Sequence, residues 1–142
     1  MSLNFDMAGP AFALGLAAIG SSIGCCIAGM ASHAAMSRTD EGHGKFIGMA
    51  AAPSSQVIYG FILMLLMSQK ILGGSLAPLS GLAIGIASGS AIMVSAIYQG
   101  MVCATGIEAS LKQPSVFGKC FAAIGIIESF ALFAFVFALL IM

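Results

Sequence analysis

One carboxylate stands deep inside an apolar run: Glu128, in AIGIIESFALF, nine residues beyond Lys119. On a helix that separation is about 13 Å, at about 1.5 Å rise per residue. An ionised carboxylate near the centre of a bilayer costs at least about 2.5–3.5 kcal/mol, so it must be protonated, paired or coordinated. No Lys or Arg lies at that depth in any apolar run of the chain, which excludes a permanent salt bridge. A proton or a bound cation remains, and either can be exchanged. The competing account is a permanently protonated, purely structural acid.

Other apolar runs supply polar groups at a similar depth. In MAAAPSSQVIYGF, Ala52, Ser55, Gln56 and Tyr59 stand at i, i+3, i+4 and i+7, one face of a helix. Gln56 is eleven residues from Lys45, and Gln99, in VSAIYQGMV, is nine residues before Glu108. A lone buried glutamine usually joins two helices by a hydrogen bond. Two glutamines, a serine and one acid at a common depth point instead to a site. Its ligands would all be oxygens around a single negative charge, which suits a hard, weakly held cation and not zinc or copper. Pro53 removes a helical hydrogen bond toward the carbonyl of Met49 and bends the segment. Bent transmembrane helices can turn carbonyl oxygens toward a cation, yet proline is also ordinary in such helices, and the residue alone does not decide between the two.

The elements that hold these groups follow from composition. Of 142 residues, 60% are hydrophobic and only 7% charged, with a mean hydropathy of +1.09. Soluble domains carry about 25% charged residues, so this chain belongs in a bilayer. Polar breaks divide it into four runs, at about 10–36, 46–66, 79–107 and 120–142. Each exceeds the roughly 20 residues that cross a hydrocarbon core. Open strands leave backbone groups unpaired in lipid, so the runs are helices. The expected fold is an all-α membrane protein of two helical hairpins, about 8–72 and 77–142. Arg38 and Lys45 lie in one connection and Lys112 and Lys119 in another, against Lys70 alone on the opposite side. That bias puts the connections 37–45 and 108–119 in the cytoplasm and both termini outside. Nothing basic precedes the first run, which argues against a cleaved signal peptide.

The hairpins look duplicated, running in the same direction. GLA recurs at Gly15 and Gly81, and GK at Gly44 and Gly118, just before the second helix of each half. Because the displacement changes from 66 to 74, about eight extra residues are expected in the first arm of the second half. Gly20, Gly24, Ala28 and Ser32 line one stripe of the first helix, and Gly81, Gly85 and Gly89 a stripe of the third. Such stripes let backbones approach closely. They would seat thin helices at the crowded inside of a closed ring of copies, with Phe121, Phe130, Phe133, Phe135 and Phe137 of the fourth helix toward lipid. The plainer alternative is that the stripes only pack helices within one chain. Cys25, Cys26, Cys103 and Cys120 have no CxxC spacing and read as small buried thiols. His33 and His43 read as interfacial residues, and Tyr98 has no assigned chemistry. No GxxxxGK(S/T), HExxH or GxSxG occurs, and the net charge of zero offers no footprint for nucleic acid. The chain alone is not expected to be an enzyme.

These residues resemble those of a known family. Glu128 in GIIESFALF, the PSSQVIYGF segment, SAIYQG and the duplicated Gly-rich hairpin are similar to the four-helix proteolipid of rotary V-type (V/A-type) ATPases and ATP synthases, called subunit K or the c-ring subunit. Ser54 stands at the gap-free equivalent of Glu128 in the first half, a loss typical of duplicated V-type proteolipids. The resemblance implies a ring of identical subunits that turns in the membrane, loaded and unloaded by a stator membrane subunit. Cytoplasmic connections around Thr39 to His43 and Ser110 to Pro114 would meet a central-stalk subunit. It further implies that Glu128 carries Na+ or H+, with no other cofactor. In sodium-carrying members the remaining ligands correspond to the backbone carbonyl of Ala52, the Ser55 hydroxyl and the side-chain oxygens of Gln56 and Gln99, while Tyr59 hydrogen-bonds the acid. Ser55 replaces a common threonine and Ala52 a larger apolar residue; the hydroxyl and the carbonyl survive both changes. The number of neutral oxygens favours sodium over protons. The rival class is a stand-alone four-helix carrier or channel that binds a cationic substrate at Glu128.

Overall fold

The computed structural model describes residues 5–142. Among them every regular element is helical: α1 (Ala8–Met36), α2 (His43–Ala51), α3 (Ser55–Leu72), α4 (Pro78–Lys112) and α5 (Phe117–Ile141), with 3-10 turns at Ala52–Ser54 and Pro114–Val116. Counting α2 and α3 as one span, four helical stretches are long and apolar enough to cross a membrane. The first connection is tighter than expected, and α4 runs on through Glu108 to Lys112 while α5 begins at Phe117, so that most of the predicted 108–119 loop is helix. Ser110, expected at the surface, is 5% exposed. Its neighbours Ala109 and Leu111 have good helix propensity, and the stop comes only at Pro114, which disfavours helix in the residue before it.

Proline also explains the break in the second span. Without an N–H, Pro53 cannot bond the carbonyl of Met49. The N–H of Ala52 takes that carbonyl instead, three residues back, and the chain tightens into a 3-10 turn. The return connection after α3 is short: Ser75 and Leu76 N–H groups both bond the Lys70 carbonyl, and Gly74 adopts φ +74°, which suits glycine.

α1 and α4 pack side by side as the central pair, α3 flanks α1, α5 flanks α4, and α3 meets α5 on the outer side. The central pair is parallel, as expected for hairpins pointing the same way. Gly9 lies against Gly81 and Gly85, Gly20 against Met93, and Gly24 against Ala96 and Gly100. These juxtapositions overturn the register read from the GLA echo. Residues at one height are displaced by about 74 positions throughout, so the second half holds no eight-residue insertion. The recurrence of GLA is a coincidence of a composition rich in Gly, Leu and Ala.

The glycine stripes are spent inside the chain. Gly20, Gly24, Gly85 and Gly89 are buried facing the partner central helix, and Gly81 is buried with Ile71 and Leu76 beside it, which is the plainer of the two accounts. On the opposite face of α1, a Cβ at Gly15 or Gly29 would meet nothing within 4 Å. Phe121, Phe130, Phe133 and Phe137 point outward, whereas Phe135 turns in to stack on Tyr59, ring centroids 5.8 Å apart. Only Cys103 is fully buried among the cysteines; Cys25 and Cys120 are partly exposed and Cys26 is exposed, so the reading of four buried thiols fails for three of them. Cys26 sits on the outward face of α1, where apolar surroundings need no protein cover in lipid.

Candidate ion-binding site

The site forms where the 3-10 turn, α3, α4 and α5 meet. Ser55 Oγ donates to Glu128 Oε1 at 2.6 Å, and Tyr59 OH donates to the same oxygen at 3.2 Å. From α4, Gln99 Nε2 stands 3.5 Å from Glu128 Oε2. Three side chains from two helices thus aim donors at one carboxylate carried by a third. The described contacts at this carboxylate are hydrogen bonds from neutral donors.

The glutamines form a second tier. Gln56 and Gln99 are both fully buried, and Gln56 Nε2 donates to Gln99 Oε1 at 2.9 Å. Gln56 therefore reaches Glu128 through Gln99 and not by a bond of its own. Its other polar atom, Oε1, is buried with no partner. A buried amide oxygen left unpaired costs about 1–3 kcal/mol, and such an orphan fits a ligand position. Ala52 enters through the turn: its carbonyl accepts the Ser55 N–H and also the Ser55 hydroxyl at 3.1 Å. The 3-10 geometry thus gathers the Ala52 carbonyl, Ser55 Oγ and Glu128 Oε1 into one short chain of contacts. In an unbroken α-helix that carbonyl would face the N–H of Gln56 instead.

All six residues singled out in the sequence come together: Glu128, Gln99, Gln56, Ser55, Ala52 and Tyr59. A groove bordered by Ala52, Ser55, Ile58, Phe121, Gly125 and Glu128 reaches the outer face between the second span and α5. Glu128 is partly exposed there. Among the described residues, no three His, Cys, Asp or Glu side chains cluster as a metal site. One participant escaped the sequence reading. Ser95, one turn before Gln99 on α4, donates to the carbonyl of Ile127 at 2.9 Å. Its i, i+4 relation to Gln99 was the available signal. Tyr98 is 57% exposed and faces away, while His43, at the start of α2, pairs its Nε2 with the Thr39 carbonyl at 2.7 Å.

Comparison with known proteins fits this geometry. Residues 8–67 and 82–141 each match the ATP synthase C subunit, as two consecutive copies at a constant displacement of 74. The chain belongs to the ATP synthase C-subunit family. That displacement agrees with the side-by-side register of α1 and α4, and it sets Ser54 opposite Glu128. A-type ATP synthase subunit K of Methanocaldococcus jannaschii is 30% identical over 134 residues, covering 94% of this chain. The chain spans 60% of the length of that relative. As a C-subunit family member, it presents the family's hairpin twice, with a membrane-depth acid in the second copy alone.

Proposed function

We propose that this C-subunit family protein is one unit of a membrane rotor in an A/V-type ATP synthase or ATPase, carrying one cation on Glu128. The observation that supports this most is the convergence of Ser55, Tyr59 and Gln99 on a single carboxylate with no cation from the protein beside it. A bare carboxylate cannot face lipid without a cost of at least about 2.5–3.5 kcal/mol. Occupancy by a cation removes that cost, so a ring of such units would turn only with its acids loaded. Loading and unloading belong to a stator membrane subunit, and torque passes to a central-stalk subunit at the loop side. A membrane potential supplies about 2.3 kcal/mol per elementary charge per 100 mV. Several ions per turn then reach the scale of making or splitting ATP, which the soluble head performs; the ring itself does no chemistry.

The cargo we favour is sodium. The Ser55 hydroxyl, the Ala52 carbonyl, the unpartnered Gln56 Oε1 and the Gln99 amide offer neutral oxygens that could replace much of a sodium hydration shell. A proton needs only the carboxyl and one acceptor. Sodium at neutral pH should therefore slow labelling of Glu128 by a hydrophobic carbodiimide, a reagent for protonated acids in membranes. Protection should weaken as pH falls, because proton and sodium compete for one carboxylate. Labelling indifferent to sodium at every pH would establish a proton rotor, and labelling at Glu108 in place of Glu128 would overturn the site.

The charge bias of the connections assigns the loops near 37–42 and 113–116 to the cytoplasm. Cysteines introduced as Thr39→Cys and Gln113→Cys in a cysteine-free background should react with an impermeant maleimide from the cytoplasmic side only. Reaction of both from outside would invert the topology.

A further inference from the structure

We propose that Ser95 is a positioning residue for Glu128, fixing α5 at the rotation and height at which the carboxylate meets its donors. The inference rests on the reading of Glu128 as the ion carrier. α5 is the helix whose orientation apolar packing specifies least. Its buried residues are only Ile124, Ala131 and Ala138, a single narrow stripe, while bulky apolar side chains cover the remaining faces. Lipid is as apolar as those side chains, so turning the helix in place exchanges like for like. Polar contacts must then set its rotation.

Two such contacts come from α4, both to the turn of α5 that leads into the acid. Ser95 Oγ bonds the carbonyl of Ile127, the residue immediately before Glu128, at 2.9 Å. One turn further on along α4, Gln99 Nε2 stands 3.4 Å from the carbonyl of Ile124, one turn before Glu128. A single contact would leave a pivot; two at different heights hold the helix against rotation and sliding. The tolerance is small, since the Gln99 contact to Glu128 is already 3.5 Å long.

The behaviour of other hydroxyls marks Ser95 as unusual. Serine in a helix commonly bonds a carbonyl three or four residues back on the same helix. Ser22, Ser54, Ser68, Thr105 and Ser129 all do so here. Ser95, only 6% exposed, crosses to α5 instead. Its counterpart 74 residues earlier, Ser21, is equally buried at 6%, yet its oxygen has no partner. The cross-helix bond thus exists in the half that bears the acid and is missing in the half that does not.

The test uses the membrane-embedded assembly carrying Ser95→Ala or Ser95→Thr. Isoleucine labelled with 13C at the carbonyl and glutamate labelled with 15N single out two peptide bonds, Ile107–Glu108 and Ile127–Glu128. Ser95→Ala should shift the Ile127 carbonyl resonance and leave that of Ile107 in place. Carbodiimide labelling of Glu128 at fixed pH should accelerate about tenfold, the loss expected for one hydrogen bond to a charged group. Ser95→Thr, which keeps the hydroxyl, should return the rate to within about twofold of the parent, as retention of that bond requires. An unmoved Ile127 resonance would overturn the bond itself. A shifted resonance with an unchanged labelling rate would reduce Ser95 to ordinary helix packing and overturn the proposal. Failure of the parent protein to label at Glu128 under any condition would overturn the ion-carrier reading, and this inference with it, while the resonance still reports the bond.

Discussion

Glu128→Gln should abolish ion transport while leaving the subunit inserted and assembled. The amide has the size and shape of the carboxylate, and its oxygen still accepts from Ser55 and Tyr59, which reach Glu128 Oε1 at 2.6 and 3.2 Å. Packing around α5 is therefore retained. What disappears is the negative charge, and no other acid lies at that depth. A neutral amide holds neither a proton nor a sodium ion against the bilayer, so transport in reconstituted vesicles should fall to the background leak. Assembly, read as the mass of the detergent-solubilised complex, should match that of the parent. Residual transport above leak would mean that another group carries the ion. Loss of the complex would mean that Glu128 is structural, the alternative that its sequence position alone left open.

The second large effect falls on the central helix pair. Gly100→Val should remove most correctly assembled protein from the membrane. A Cβ at residue 100 would lie 2.5 Å from the Gly24 Cα and 2.7 Å from its carbonyl carbon. These are backbone atoms, which cannot swing aside as a side chain would. α1 and α4 must separate locally, and overpacking of this kind costs about 1–3 kcal/mol or more. The separation also moves Gln99, the preceding residue, away from Gln56 and Glu128. Gly44→Ala makes the control, because a Cβ there meets nothing within 4 Å and alanine favours helix. Membrane yield and the mass of the complex would distinguish the two variants. Equal yields would show that α1 and α4 are not in the contact described.

How far the sequence alone could reach depended on what each signal measures. Glu128 stood out because a carboxylate in lipid needs a reason, and counting turns from Lys119, Lys45 and Glu108 was enough to bring Glu128, Gln56 and Gln99 to one level. Helical spacing correctly grouped Ser55 with Tyr59. It could not tell that Gln56 would face Gln99 and not the acid, since both choices lie on the same helix face. Pro53 announced a distortion but not its form; that depended on the Ala52 N–H finding the carbonyl proline had left. The glycine stripes identified close-packed faces without naming their partner, and expectation and structure diverge there. A small-residue face fits a sister helix in the same chain as readily as one in the next copy. Ser95 offered only its i, i+4 spacing to Gln99: a helical serine commonly bonds its own helix, and the neighbouring carbonyl is what reveals the exception.

Ser54 shows what the first copy of the repeat does without. It is exposed and bonds the carbonyl of Ala51 at 2.7 Å. At the family's displacement of 74, the counterparts of Ser55, Gln56, Tyr59 and Gln99 are Ser129, Phe130, Phe133 and Cys25. Among the side chains of the ligand set only one hydroxyl survives, so no single substitution would restore a second binding position. In a ring built as proposed, two hairpins would pass the stator for each ion delivered. The repeat would then set a gearing ratio. Each ion would sweep a wider arc, fewer would cross per revolution, and the free energy gathered in one turn at a given membrane potential would be half that of a ring of as many hairpins with an acid in each. Run in reverse, the same wide teeth would let one ATP push fewer ions against a steeper gradient.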